Sequence, residues 1–264
     1  MSVEMTHYKG VYIIGQTERT GTNFLYNLLL QHPDVHRTAQ PGEDRLLMHS
    51  SHLLDYVEST SSQWSENWKG MNVHERKSAL MAEIGMSLQR FLSEEEKFVI
   101  TKSPSAIGIE NYHKFFTDYF PIILVRVGRN VVESLVSSFN TGYGESMKEW
   151  ALSVDSIIAF RRQYPDTLLL KYEDLFADPF QCISGILSRL NLDSSKISAQ
   201  DLEEQDIIGS SQSSNKKGEV DWSKKMDRNQ GFDPNKRYSK WNPWIRLKYR
   251  IICGQAAKKM NYGY

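Results

Sequence analysis

Residues 11–24, VYIIGQTERTGTNF, constrain this chain more than any other stretch. Residues 11–14 are a short apolar run, the pattern of a strand buried on both faces of a parallel sheet. Gly15 ends the run, and a polar turn follows. Phe24, Leu25, Leu28 and Leu29 then recur at helical spacing, so a helix begins near Thr22. Strand, turn and helix N-terminus together aim backbone N–H groups and the positive end of a helix dipole at one point. Gly15 and Gly21 let the backbone approach an anion with no Cβ in the way.

The turn also narrows the kind of anion. A nucleoside-triphosphate loop reads GxxxxGK[ST], with a lysine for the outer phosphates and a hydroxyl for Mg²⁺. Here the glycines stand one residue further apart, Thr22 directly follows Gly21, and no lysine separates them. The cation is Arg19. A guanidinium fixed inside the turn suits a short anion with a planar face of oxygens and needs no metal.

The 264 residues carry 32 basic and 32 acidic side chains, so anion binding must come from local arrangement rather than bulk charge. That balance argues against a nucleic-acid partner. The two cysteines, Cys182 and Cys253, sit in apolar helical patterns and read as core thiols of a reducing compartment. The N-terminal residues show no apolar signal region, and no run reaches the length of a membrane span. A cytoplasmic protein without a membrane anchor is the expectation.

Along the chain, strands alternate with helices. Pro33 stops the first helix, and 34–45 is polar and irregular. Residues 46–68 are expected to be helical. Asn72 with Glu75 resembles an N-cap and its capping-box partner, with Leu80, Ile84, Leu88 and Phe91 on one face of the helix behind. The remaining strands are 98–101, 121–126 and 168–172. Asp178-Pro179 opens a further helix. The expected fold is α/β, a P-loop-like parallel sheet with helices on both faces. It forms a single domain over 1–264, with a helical insertion at 46–95 and a polar lid or substrate loop at 193–242. Trp244, Leu247, Ile251 and Ile252 mark a closing amphipathic helix.

Lys102 follows the strand at 98–101, and Arg126 ends the strand at 121–126. Parallel strands end on one edge of a sheet, so Arg19, Lys102 and Arg126 converge there. Ser134 lies eight residues beyond Arg126.

These residues together resemble the sulfotransferases that use 3′-phosphoadenosine 5′-phosphosulfate (PAPS). The family's phosphosulfate loop, [KR]-[ST]-G-T-[ST], is similar to Arg19-Thr20-Gly21-Thr22-Asn23. Its 3′-phosphate element, a strand ending in Arg with a Ser eight residues on, is similar to VRVGRNVVES with Arg126 and Ser134. HPDV at 32–35, KYEDLFADP at 171–179 and Lys102-Ser103-Pro104 also match, the last as in tyrosyl-protein sulfotransferases and their bacterial relatives. The resemblance covers about residues 10–190. Glu18 beside Arg19 departs from many family loops.

The resemblance implies PAPS as donor, its product PAP (adenosine 3′,5′-bisphosphate), and no metal. Arg19 and the N–H groups of Thr20, Gly21, Thr22, Asn23 and Phe24 would hold the phosphosulfate, and Arg126 with Ser134 the 3′-phosphate. Tyr172 would lie against the adenine. Lys216-Lys217-Gly218, similar to an RKG element of cytosolic members, would add cations to the 3′-phosphate. Lys102 and Arg19 would stabilise charge on the leaving oxygen. The general base is expected a few residues after HPDV, and Glu43 is the first choice, with Asp44, His36 and His49 behind it. The implied reaction moves a sulfuryl group to a hydroxyl or amine of a small-molecule or carbohydrate acceptor, as in natural-product tailoring. Two rival readings are a P-loop kinase of a small metabolite and a nucleotide-binding protein without catalysis.

Overall fold

The structure is a computed structural model that describes residues 8–40, 43–68, 70, 72–94, 97–208, 225–226 and 237–263. In chain order its main elements are β1 (Gly10–Gly15), α1 (Thr22–Leu29), β2 (Val35–Arg37), α2 (Ser50–Ser61) and α3 (Val73–Leu92). Then come β3 (Phe98–Ser103), α4 (Tyr112–Phe115), β4 (Tyr119–Val125), α5 (Gly128–Phe139), α6 (Tyr143–Gln163) and β5 (Leu168–Lys171). The chain continues with α7 (Tyr172–Ala177), α8 (Pro179–Arg189), α9 (Ala199–Glu203), β6 (Ile207–Ile208), β7 (Lys225–Met226) and α10 (Pro243–Lys259).

Five strands form one parallel sheet in the order β2-β3-β1-β4-β5. Ile13 stands between Lys102 and Ile122 across the centre. Alternate residues of β1 point to opposite faces, and both faces are covered. Val11 and Ile13 pack with Leu25, Leu28 and Ile183 from α1 and α8. Tyr12 and Ile14 pack with Val131, Trp150 and Cys253 from α5, α6 and α10. This double burial explains why the central strands read as unbroken apolar runs. The α/β reading of the sequence is the fold observed.

Several boundaries differ from expectation. β2 lies inside the stretch 34–45 that reads as irregular; its three residues offer no periodicity to detect, and its order comes from pairing with Phe98–Ile100 of β3. β5 stops at Lys171, and Tyr172 begins α7. The helix expected over 46–68 is a 3₁₀ turn, Leu47–His49, followed by α2. Asn72 does cap α3, accepting from the Glu75 N–H. Its inward face, however, is set by Ile84, Gly85, Leu88 and Leu92, and Phe91 is 47% exposed.

Cys253 is buried, which raises its thiol to about 12, while Cys182 is half-buried; both are free thiols. α10 is capped as a closing helix should be, by Asn242 accepting from Ile245 N–H with Pro243 in the first turn. It turns Tyr249, Cys253 and Ala257 inward, whereas Trp244, Leu247 and Ile251 face outward. Among residues 193–242, the described part holds α9, the antiparallel pair β6–β7 and two 3₁₀ turns, at Ser194–Lys196 and Arg237–Lys240. Lys216, Lys217 and Gly218 lie outside the described residues.

Candidate active site

The carboxyl ends of β1, β3, β4 and β5 share one edge of the sheet, where open α/β sheets hold ligands. The turn after β1 is closed by Thr20, whose N–H and Oγ1 both donate to the Thr17 carbonyl, at 3.3 and 2.7 Å. Gly21 follows in the left-handed region at φ 109°, and no side chain caps α1 behind it. A Cβ at Gly21 would stand 2.4 Å from the Tyr172 ring, so glycine is required there on two counts. Gly21, Thr22, Asn23 and Phe24 line a cavity of ≈ 320 Å³.

Arg19, at φ 70°, also lines this cavity. Its Nε donates to Ser134 Oγ at 3.2 Å, and its carbonyl accepts from Arg126 Nη1 at 3.2 Å. Arg126 is the residue after β4. It is buried, its backbone N–H donates to Gln16 Oε1, and its guanidinium lies 4.2 Å from the centre of the Tyr172 ring. The structure therefore brings together Arg19, Arg126, Ser134 and Tyr172, from four separate elements.

A third guanidinium joins them that sequence reasoning missed. Arg237 Nη1 donates to Ser134 Oγ at 2.9 Å, and Arg237 lines the same cavity. Ser134 thus accepts from two arginines at once. Burial first, and the like charge of Arg126 second, hold Arg19 down to about 10. Burial, then Arg126 and Arg19, hold Arg237 down to about 9. Both stay protonated at neutral pH, so three cations are held against their mutual repulsion in a buried pocket. A multivalent anion relieves that repulsion.

Glu43 lines the same cavity and belongs to an ion pair. Lys102, on β3, is 5% exposed, and its Nζ bonds Glu43 Oε2 at 2.7 Å. Glu43 also takes a bond from Arg45 Nη2 at 3.2 Å, and the same nitrogen reaches Glu18 Oε1 at 3.1 Å. Glu18 is thereby turned toward Arg45.

Asp44 has a different environment. Its Oδ1 accepts from Tyr12 O–H at 2.6 Å and Leu46 N–H at 2.8 Å, and its Oδ2 from Thr101 O–H at 2.6 Å. Burial raises its carboxyl despite these bonds. The carboxylate pins the segment after residue 42 onto β1 and β3, one residue from Glu43. Its oxygens are already engaged, so it is a positioning group.

Comparisons with known proteins agree with this geometry. A family model described as "Sulfotransferase family" matches residues 11–196, well over half of the chain. No curated protein matches the sequence. Among solved structures, the sulfotransferase domain of the Synechococcus PCC 7002 olefin synthase superposes with a TM-score of 0.54 at 20% identity, covering 100% of this chain and 98% of that one. A sulfotransferase from Alicyclobacillus acidocaldarius gives 0.52 at 13% identity, covering 96% and 94%. Sulfotransferase STF9 from Mycobacterium avium gives 0.52 at 12% identity, covering 97% and 78%. At these identities the likeness to solved structures speaks for the fold.

Proposed function

The chain belongs to the sulfotransferase family, and on that premise we propose that it takes PAPS as donor and sulfates a hydroxyl or amine of a small-molecule or carbohydrate acceptor. The observation that carries the donor assignment is the meeting of Arg19, Arg126 and Arg237 around Ser134, beside the uncapped N-terminus of α1. Two neighbouring anion subsites suit a nucleotide bearing phosphate at both 3′ and 5′ positions. Arg126, Arg237 and Ser134 hold the 3′-phosphate. Arg19 and the backbone N–H groups of Gly21, Thr22 and Asn23 hold the 5′-phosphosulfate, whereas those of Thr20 and Phe24, expected to join them, are bonded to the Thr17 and Gly21 carbonyls. Tyr172, packed between Gly21 and Arg126, walls the adenosine side.

When bound, PAPS supplies an activated sulfuryl group whose leaving oxygen gathers negative charge. Arg19 and Lys102 are fixed before the reaction and answer that charge without reorganising. Glu43 accepts the acceptor's proton. Its pairing with Lys102 couples the two roles: a proton arriving on Glu43 removes the charge that offsets the ammonium, whose full field then bears on the leaving oxygen. Phe24, Phe139, Ile207 and Pro104 give the cavity an apolar side that suits an acceptor with an apolar body. One structural neighbour is a sulfotransferase domain from an olefin synthase, and natural-product tailoring is the setting we propose here. Family membership sets the kinase reading aside.

The test is a pair of melting curves, with PAP and with ATP. PAP raises the melting temperature, by an amount that grows with the logarithm of its affinity, and ATP leaves it nearly unchanged. Equal shifts would remove the 3′-phosphate subsite. A screen with sulfur-labelled PAPS then identifies the acceptor.

A further inference from the structure

The outward face of α10 is built for contact. Trp244, Leu247 and Ile251 follow one another at helical spacing, so they share one side of the helix, and they are 78%, 48% and 74% exposed. Every charged residue of α10 is basic: Arg246, Lys248, Arg250, Lys258 and Lys259. At about 100° per residue, Lys248 and Lys259 border the apolar stripe on one side and Arg250 on the other, while Lys258 continues the line of the stripe two turns beyond Ile251. Positive charge continues past the helix end, where Lys259 lines a cavity of ≈ 510 Å³ with Arg161, Arg162 and Lys171. Lys259 also pairs with Asp155 of α6 at 2.6 Å.

We propose that α10 seats the protein on an anionic lipid surface, with Trp244, Leu247 and Ile251 dipping into the headgroup layer and the flanking cations meeting the headgroups. A narrow apolar stripe containing Trp and bordered by Lys and Arg is the make-up of a helix that lies in a membrane interface. Trp favours that layer because its ring is apolar and its N–H is polar. The long basic side chains keep their charge in the headgroups while their stems cover apolar surface. A protein partner fits less well, since the cores of protein interfaces are depleted in lysine. The face is independent of the donor site, so the proposal stands apart from the sulfotransfer reading.

The experiment is co-sedimentation of the full chain with phosphatidylcholine vesicles, with and without phosphatidylserine. Binding to the phosphatidylserine vesicles alone, lost at high salt, is the expected result. The triple variant Trp244→Ser, Leu247→Ser, Ile251→Ser should keep the wild-type melting temperature and partition at least tenfold more weakly. Lys248→Glu, a single surface change, should weaken partition several-fold and serves if the triple variant fails to fold. Failure of the wild type to pellet with phosphatidylserine vesicles would overturn the proposal, as would unchanged partition in both variants. A dimer in sedimentation velocity that the triple variant abolishes, with no vesicle binding, would assign the face to a second copy instead and equally overturn it.

Discussion

Lys102 Nζ and Glu43 Oε2 stand 2.7 Å apart at the end of β3, a buried ammonium against a partly exposed carboxylate. Each is assigned a separate step, and the contact makes the steps interdependent. Glu43→Gln should keep PAP affinity within about twofold and lose roughly 10²-fold or more in turnover, the scale of a lost general base. Steady-state kinetics beside calorimetric PAP binding checks both. Full turnover would move the base elsewhere.

Asp44 gives a stability prediction. Asp44→Ala leaves the Tyr12 and Thr101 hydroxyls without their buried acceptor, at a cost of about 2–4 kcal/mol in urea unfolding. Burial raises the folded Asp44 carboxyl, so the native chain holds that proton more tightly than the unfolded chain does. Its contribution therefore favours folding below the ordinary aspartate range and is lost as pH rises through the folded value. Across that window the melting temperature of wild type should fall relative to Asp44→Asn, whose side chain does not ionise. A parallel course for the two proteins would contradict this.

Arg237 predicts opposite signs for binding and stability. Arg237→Ala should weaken PAP by about 1.5–3 kcal/mol, the scale of a charge-assisted bond. The ligand-free protein should melt no lower than wild type, because one of three crowded like charges is gone. A lower melting temperature with unchanged PAP affinity would make Arg237 a structural residue.

Gly21→Ala tests the anion turn. The new methyl group meets the Tyr172 ring and sits at φ 109°. We expect destabilisation of about 2 kcal/mol or more in denaturant unfolding, together with loss of PAP binding. Near-wild-type behaviour would mean that the Tyr172 ring moves freely.

Much of this site is legible in the chain because the fold puts strand exits on one edge. Arg19, Lys102 and Arg126 each follow or end an apolar run, so finding the strands finds the cations. Arg237 escapes this logic. It stands in a polar stretch with no periodicity, and only tertiary placement brings it to Ser134. β2 escapes because three residues carry no pattern. Tyr172 reads as strand because it stands just past the apolar run Leu168–Leu170, yet the backbone turns at Lys171 to start α7. The periodicity of α10 locates the helix but not its orientation: small residues, Gly254, Ala256 and Ala257, face the core, and Trp244 and Ile251 face outward. Close packing against α6 favours small side chains there, and a hydrophobicity pattern alone does not register that preference.

The central claim is that a second anion pocket, formed after β4, recognises a 3′-phosphate. Calorimetric titration of PAP and of adenosine 5′-phosphate into wild type and Arg126→Ala tests it most directly. The account predicts that wild type prefers PAP by roughly tenfold or more and that Arg126→Ala loses most of that preference while keeping its affinity for adenosine 5′-phosphate. Equal affinity of wild type for the two ligands, or an unchanged preference in the variant, would contradict it.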